Sequence, residues 1–250
     1  MLSVDQLGNE WIFAAPPQRI VSLVPSITEL LCDLGLEDRL VGCTKFCVHP
    51  LDLRKSKTII GGTKNIHLDR IKALNPDLII ANKEENRKED VDQLLRFFRC
   101  WVSAIKTLPE AEEMIRSLAE IFGRSQLGEQ IIARNRLTLP NPIPDQGKAL
   151  YLIWRDPFMS VGRDTYIHDM LSRCGYINCC AEQERYPSLS TQDLIDLRPA
   201  HILLSSEPFP FKEKHLREIQ EICPTAQVSL VDGEFYSWYG SRLGNLAIKA

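Results

Sequence analysis

Short, unbroken apolar runs alternate with amphipathic stretches along this 250-residue chain, and proline or glycine marks most of the changeovers. Arg19 to Val24 is the first such run. It is too short for a helix of its own and reads as a buried strand. Pro25 ends it. Ser26, with Glu29 three residues on, then fits a capping box that opens an amphipathic helix, and Gly35 stops that helix. Further strands are expected at about Arg39 to Thr44 and Thr58 to Gly62, with an irregular loop between them. His67 to Asn75 reads as a helix stopped by Pro76, and Asp77 to Ala81 as the next strand. A helix over Glu89 to Phe98 and a strand over Trp101 to Ile105 follow. Strands alternating with helices predict a parallel α/β sheet.

Leu108 to Leu137 carries one long helical pattern, rich in charge and so exposed along much of its length, with Gly123 and Gly128 as candidate kinks. Pro140, Pro142 and Pro144 then form a rigid connector. The second half repeats the α/β scheme. It has strands at Lys148 to Trp154, His201 to Ser206 and Gln227 to Val231, and helices at Thr165 to Cys174, Ser190 to Leu197 and Lys212 to Ile222. The expected organisation is an N-terminal α/β lobe over 1–106, a connecting helix and Pro-rich linker over 107–147, and a C-terminal α/β lobe over 148–250. One correspondence joins the halves: 67–81 and 190–204 are each an amphipathic helix, a proline stop (Pro76, Pro199) and an apolar strand. Aligned on the prolines, Asp69 falls opposite Gln192. Any α/β unit can read this way, so the pattern alone leaves a repeat open.

Composition excludes several classes. Net charge is −3, so no global positive field recruits nucleic acid. No stretch approaches the roughly 20 apolar residues of a membrane-spanning helix. Met1 to Phe13 carries Asp5 and Glu10 where a secretory signal would be basic and then apolar. The expectation is therefore a cytoplasmic chain, or a periplasmic or envelope protein whose leader lies outside this sequence. The eight cysteines form no CxxC pair, and most sit in apolar runs as small hydrophobes. Cys43, Cys47 and His49 are weak metal candidates with no fourth ligand in sight. No phosphate loop, dinucleotide fingerprint, nucleophile elbow or zinc-protease motif occurs, so neither an enzyme nor a resident cofactor is expected.

Loops after parallel strands line the crevice of such sheets. Those loops carry Phe46, Trp154, Arg155, Tyr186, Glu207, Tyr236, Trp238 and Tyr239. Aromatic faces beside a few charges suit a large, flat, partly polar ligand. The bland alternatives stay open: Trp154 capping a core, the segment 234–239 packing against a helix, and Glu207 capping the next helix.

The segment Pro17 to Leu31, followed by Leu34 to Gly42, resembles the opening of the helical-backbone periplasmic binding proteins, the substrate-binding components of importers for cobalamin, ferric siderophores and haem. Asp5 to Gly8, in the place of that family's first strand, Ile60 to Gly62, Leu68 to Ala81 and Leu194 to Pro199 continue the resemblance in order. The nearest branch is the cobalamin-binding one. The resemblance implies two α/β lobes with mainly parallel sheets joined by one long central helix, with the ligand cleft between the lobes. It implies a ligand of metal-chelate or tetrapyrrole type and a membrane permease that docks acidic residues, one on each lobe, at the positions of Asp69 and Gln192. Asp69 keeps the charge; Gln192 is neutral, with Asp193 beside it. Phe46 and Tyr186 keep the aromatic character of the cobalamin branch, whereas Thr63 and Asn82 stand where tryptophans are expected. Two other readings are a cytoplasmic relative holding a metal or cofactor, and an enzyme acting on a tetrapyrrole or chelate.

Overall fold

The computed structural model describes residues 1–247, divided into two units. The first comprises Met1–Ala104, Pro109–Arg136 and the chain from Tyr239 on; the second comprises Ile105–Leu108 and Leu137–Trp238.

In the first unit β1 (Leu2–Val4) and β2 (Glu10–Ile12) form an antiparallel ribbon. Asp5 pins its turn, accepting backbone N–H groups from Leu7, Asn9 and Val102. The expected strand at Asp5 to Gly8 is this turn: the buried carboxylate captures the local donors that a strand partner would otherwise satisfy. Next come β3 (Ile20–Ser22), α1 (Pro25–Asp33), β4 (Leu40–Cys43), α2 (Leu53–Ser56) and β5 (Thr58–Ile59). Then follow α3 (Leu68–Leu74), β6 (Leu78–Asn82), α4 (Lys88–Leu95) and β7 (Cys100–Ser103). The five strands β3 to β7 pair in parallel in the order β5-β4-β3-β6-β7. Strands β3, β6 and β7 are buried throughout, which is why they read as continuous apolar runs.

Two details differ from expectation. Helix α1 starts at Pro25, with Val24 at the N-cap and no side-chain cap. Proline's fixed φ already suits the first helical position, so Ser26 lies inside the helix and Glu29 is free to turn elsewhere. The long helical pattern is two helices, α5 (Leu108–Ile121) and α6 (Ser125–Leu137). Gly123, at φ +67, turns the chain, a conformation that favours glycine. The two helices then run back along each other: Arg116 pairs with Glu129 at 2.7 Å, and Arg136 Nε pairs with the buried Glu112 at 2.6 Å.

The second unit holds β8 (Gly147–Leu152), β9 (Phe158–Met159), α7 (Tyr166–Arg173), β10 (Tyr176–Asn178) and β11 (Ser188–Leu189). It continues with α8 (Thr191–Asp196), β12 (His201–Ser205), α9 (Glu213–Ile222), β13 (Gln227–Val231) and α10 (Gly233–Ser237). Its main sheet is parallel, in the order β10-β8-β12-β13, over a core of Leu150, Leu152, Leu194, Ile202, Leu204 and Ile219. β9 and β11 form a small antiparallel ribbon.

The chain then returns to the first unit with α11 (Arg242–Ala247). Arg242 pairs with Glu29 at 3.2 Å, Asn245 donates to both Glu29 and Asp33, and Asn135 bonds to the backbone of Gly240 and Gly244. These contacts join residues far apart in sequence, so no local pattern announces them. The protein is thus mixed α/β, with a parallel sheet in each unit. Among the described residues no helix is long and apolar enough to cross a membrane.

Candidate ligand-binding site

Strand order locates the crevices. In the first unit β4 and β5 lie on one side of β3, and β6 and β7 on the other, so the order reverses between β3 and β6. In the second unit it reverses between β8 and β12. Ligands of open α/β sheets bind beyond the carboxyl ends of the strands at such points.

At the second unit's switch point, the loops after β8 and β12 bring Trp154 and Phe209 edge to face, with ring centroids 5.7 Å apart. Phe209 in turn packs on Phe211 at 4.8 Å and on His215 at 5.3 Å. Burial, with the cationic groups of Lys214 and Arg155 nearby, holds His215 below the usual histidine range, so its ring is a neutral part of the stack. Trp154 remains 40% exposed at the outer end. The stack is therefore an anchored platform whose outermost ring, Trp154, is open to solvent. Arg155, beside it, is committed to carboxylates: Nε and Nη2 clasp Glu218 and Nη1 reaches Asp156 at 2.6 Å. Tyr186 is also open, at 37%, with the Arg185 guanidinium 5.6 Å from its ring. It immediately precedes the Pro187–Ser160 hydrogen bond of the β9–β11 ribbon, while Trp154 bridges Met159 of the same ribbon.

Glu207, Tyr236 and Trp238 come together, but inward. Glu207 Oε1 accepts from Ser237 at 2.7 Å and from the Trp238 indole at 2.9 Å. Burial raises its carboxyl above the ordinary value despite those donors. The Tyr236 ring lies 5.2 Å from that of Tyr151, whose hydroxyl donates to Ser205. These residues fasten α10 to the ends of β8 and β12 and form the frame behind the open surface.

In the first unit Phe46 is 49% exposed on the loop after β4. The Lys45 ammonium stands 5.0 Å from its ring, and Gly62 lies so close beneath that a Cβ there would sit 3.1 Å from the ring. Tyr239, nearly buried, donates its hydroxyl to Glu85. Asn82 is a loop organiser. Its carbonyl oxygen accepts from Glu84 and Glu85 N–H, its amide donates to Ser103, and its own N–H is taken by Asn86. The charge run after it is therefore a tightly held loop.

Cys43, Cys47 and His49 do not converge. Both cysteines are fully buried, whereas His49 lines a cavity of 370 Å³ with Glu29, Asp33, Pro50, Leu51, Arg242 and Asn245. Among the described residues no three His, Cys, Asp or Glu side chains gather in a way that could hold a metal ion.

Asp69 and Gln192 do occupy matching places. Each lies exposed in the first turn of a short helix, α3 or α8, and each helix ends in a left-handed residue (Asn75, Arg198) before its proline. Gln192 bonds to Asp196 at 2.9 Å. Asp193 is the carboxylate of a capping box with Ser190, which holds its carboxyl below the usual range. It is thus tied to its own helix. Phe209 shares the strand-end loop 205–211 with Glu207, and its flanking prolines, Pro208 and Pro210, after an apolar strand are the sequence signal for its fixed position.

Two parallel sheets with open aromatic side chains at their strand ends define an α/β binding protein. The model of the Periplasmic binding protein family matches residues 20–231, and the chain belongs to that family. An uncharacterized ABC transporter substrate-binding lipoprotein, YvrC of Bacillus subtilis, is 23% identical over 217 residues, covering 81% of this chain and 68% of the relative. The Vitamin B12-binding protein of Vibrio cholerae is 26% identical over 204 residues, covering 76% and 71%. The crystal structure of periplasmic Vitamin B12 binding protein BtuF of Vibrio cholerae superposes with a TM-score of 0.78 at 23% identity, covering 94% of this chain and 95% of that one.

Proposed function

We propose that this chain is the substrate-binding component of an ABC importer, acting outside the inner membrane and delivering a ligand of the cobalamin, haem or ferric-siderophore kind to a permease. The observation that carries this reading is the Trp154–Phe209 platform at the β8/β12 switch point, in a chain of the Periplasmic binding protein family. Its part-exposed indole, with Tyr186 beside the same ribbon, offers flat apolar surface to a flat, partly polar ligand. The protein acts by affinity alone, through open rings on a pre-formed frame. Permease docking would rest on Asp69, whose carboxylate is exposed; Gln192 offers an amide, which pairs less strongly with an arginine than a carboxylate does.

The test is titration of the purified protein with cyanocobalamin, haemin and ferric siderophores, read by quenching of tryptophan fluorescence. Saturable binding of one of them at micromolar or tighter Kd supports the reading. Absence of saturation by all of them up to about millimolar overturns it, since a weaker site holds too little ligand to scavenge.

A further inference from the structure

Helix α9 meets the Trp154 platform twice, through two residues of one face. His215 and Glu218, three residues apart, are neighbours on the helix surface. Glu218 clasps the Arg155 guanidinium, Nη2 donating to Oε1 at 2.7 Å, and so holds the residue that follows Trp154. His215 packs against Phe209, with ring centroids 5.3 Å apart, and stands edge-on to Phe211 at 5.5 Å. Phe209 is in turn the ring that meets Trp154. The order outward from the helix is therefore His215, Phe209, Trp154.

One hydrogen bond fixes the His215 ring. The Lys212 N–H, at the N-cap of α9, donates to His215 Nδ1 at 2.9 Å, and the His215 backbone N–H donates to the Lys212 carbonyl at 2.8 Å. A backbone N–H can only donate, so Nδ1 carries its lone pair there and the ring is neutral. A proton on Nδ1 would set two donors against each other. The surroundings oppose that proton too. The charged groups acting on the ring are Lys212, Lys214 and Glu218 from α9 and its cap, and Arg155 from the loop after β8. The single carboxylate among them is already committed to Arg155. The loop after β12 presents the phenyl rings of Phe209 and Phe211. Two further elements, α8 and β13, pack on α9. β13 carries no titratable side chain, and the α8 carboxylates are bonded locally, Asp193 to Ser190 and Asp196 to Gln192. Burial above all, and then these cations, hold His215 below its ordinary value of 6.5.

We infer that His215 is the positioning residue of the Trp154 platform: neutral, it caps α9 and holds Phe209 in place, and on taking up a proton it gives up the cap and lets Phe209 and Trp154 move. Because the folded ring holds its proton less tightly than the unfolded chain does, the platform is fully held above pH 6.5 and loosens as pH falls below it. The consequence for ligand, a weaker hold in acid, rests on the proposed function; the positioning of Trp154 does not.

The test therefore begins without ligand, by nuclear magnetic resonance of the full chain labelled at its indole nitrogens. The chain has four tryptophans, and the Trp154 indole signal is the one lost in Trp154→Phe. Between about pH 7.5 and about pH 5 it should shift in step with the His215 ring signal, at a midpoint below 6.5. It should stay still in His215→Phe, which keeps a ring and takes up no proton. Circular dichroism checks that the variant is folded; if it is not, His215→Gln, which offers the Lys212 N–H another acceptor, takes its place. The inference fails if the Trp154 signal ignores the His215 titration, or shifts as far in a folded His215 variant as in wild type. The second arm titrates cyanocobalamin, haemin and ferric siderophores at both pH values. Whichever saturates at the higher pH should bind about threefold to fivefold more weakly at the lower one, in wild type alone. An equal weakening in the His215 variant overturns the acid release. If none of them binds at the higher pH, the proposed function fails and the Trp154 signal alone decides the role of His215.

Discussion

The indole N–H of Trp238 donates to Glu207 Oε1 at 2.9 Å, joining the last residue of the second unit to the loop after β12. Ser237 donates to the same oxygen, so one carboxylate holds both donors at the end of α10. Trp238 is only 7% exposed. Glu207→Ala removes the acceptor that both donors share, and a buried donor left unsatisfied costs about 1–3 kcal/mol. The expected outcome is a lower urea midpoint with a red-shifted tryptophan emission. An unchanged midpoint would mean that the clasp contributes nothing to the fold.

The same carboxylate sets a pH dependence. Its ordinary value is 4.5, and in the folded protein burial raises it. Above pH 4.5 the unfolded chain has begun to lose a proton that the folded chain still holds, so stability falls as pH rises through that window. Glu29 is raised by burial too and acts in the same direction. Glu207→Gln keeps an acceptor for Trp238 and removes one titrating group. Between about pH 5 and about pH 8 the wild type should therefore lose more stability than Glu207→Gln. Denaturant titrations at both pH values measure the difference, and parallel pH profiles would refute the assignment.

Trp154 separates binding from folding. Its edge contact with Phe209 accounts for about 1 kcal/mol, and much of its indole already faces solvent. Trp154→Ala should leave the melting temperature within a few degrees of wild type. Losing one aromatic face of about 1 kcal/mol should weaken whichever ligand the fluorescence titration identifies by roughly fivefold in Kd. Isothermal calorimetry, which needs no tryptophan signal, reads that change.

Much of this architecture is visible in the residues because core strands of a parallel sheet announce themselves. Leu78–Asn82 reads as a strand since both its faces are buried, with Pro76 and Asp77 before it and the charges of Lys83 to Glu85 after it. Gly35 marks the end of α1 because the chain there adopts φ +71. The loops are less legible for an equally physical reason: they have no period to tell inward from outward. Phe46, Trp154 and Tyr186 are exposed while Tyr236, in α10, and Trp238 and Tyr239, just after it, are buried, though all six lie in connections that follow strands. Only Asn82's partners, Ser103, Glu84, Glu85 and Asn86, reveal why an amide occupies that position. The return of α11 to Glu29 and Asp33 depends on contacts between chain ends that no local pattern contains.

The α5–α6 turn offers the sharpest test of packing. Gly128 faces Ala119 so closely that a Cβ at position 128 would lie 2.7 Å from the Ala119 Cβ, and Ala119 is itself fully buried. On helix propensity alone Gly128→Ala should stabilise α6 by about 1 kcal/mol. Overpacking opposes it, typically at about 1–3 kcal/mol, and the short contact decides that the net effect is a loss. Moving the methyl group across the interface distinguishes the two effects. Ala119→Gly alone loses helix propensity and opens space, whereas Ala119→Gly with Gly128→Ala restores one methyl to the gap. The double variant should therefore be more stable than the sum of the two single losses predicts, a positive coupling of about 0.5 kcal/mol or more in a double-mutant cycle. Strictly additive losses would show that the two helices do not touch at this point.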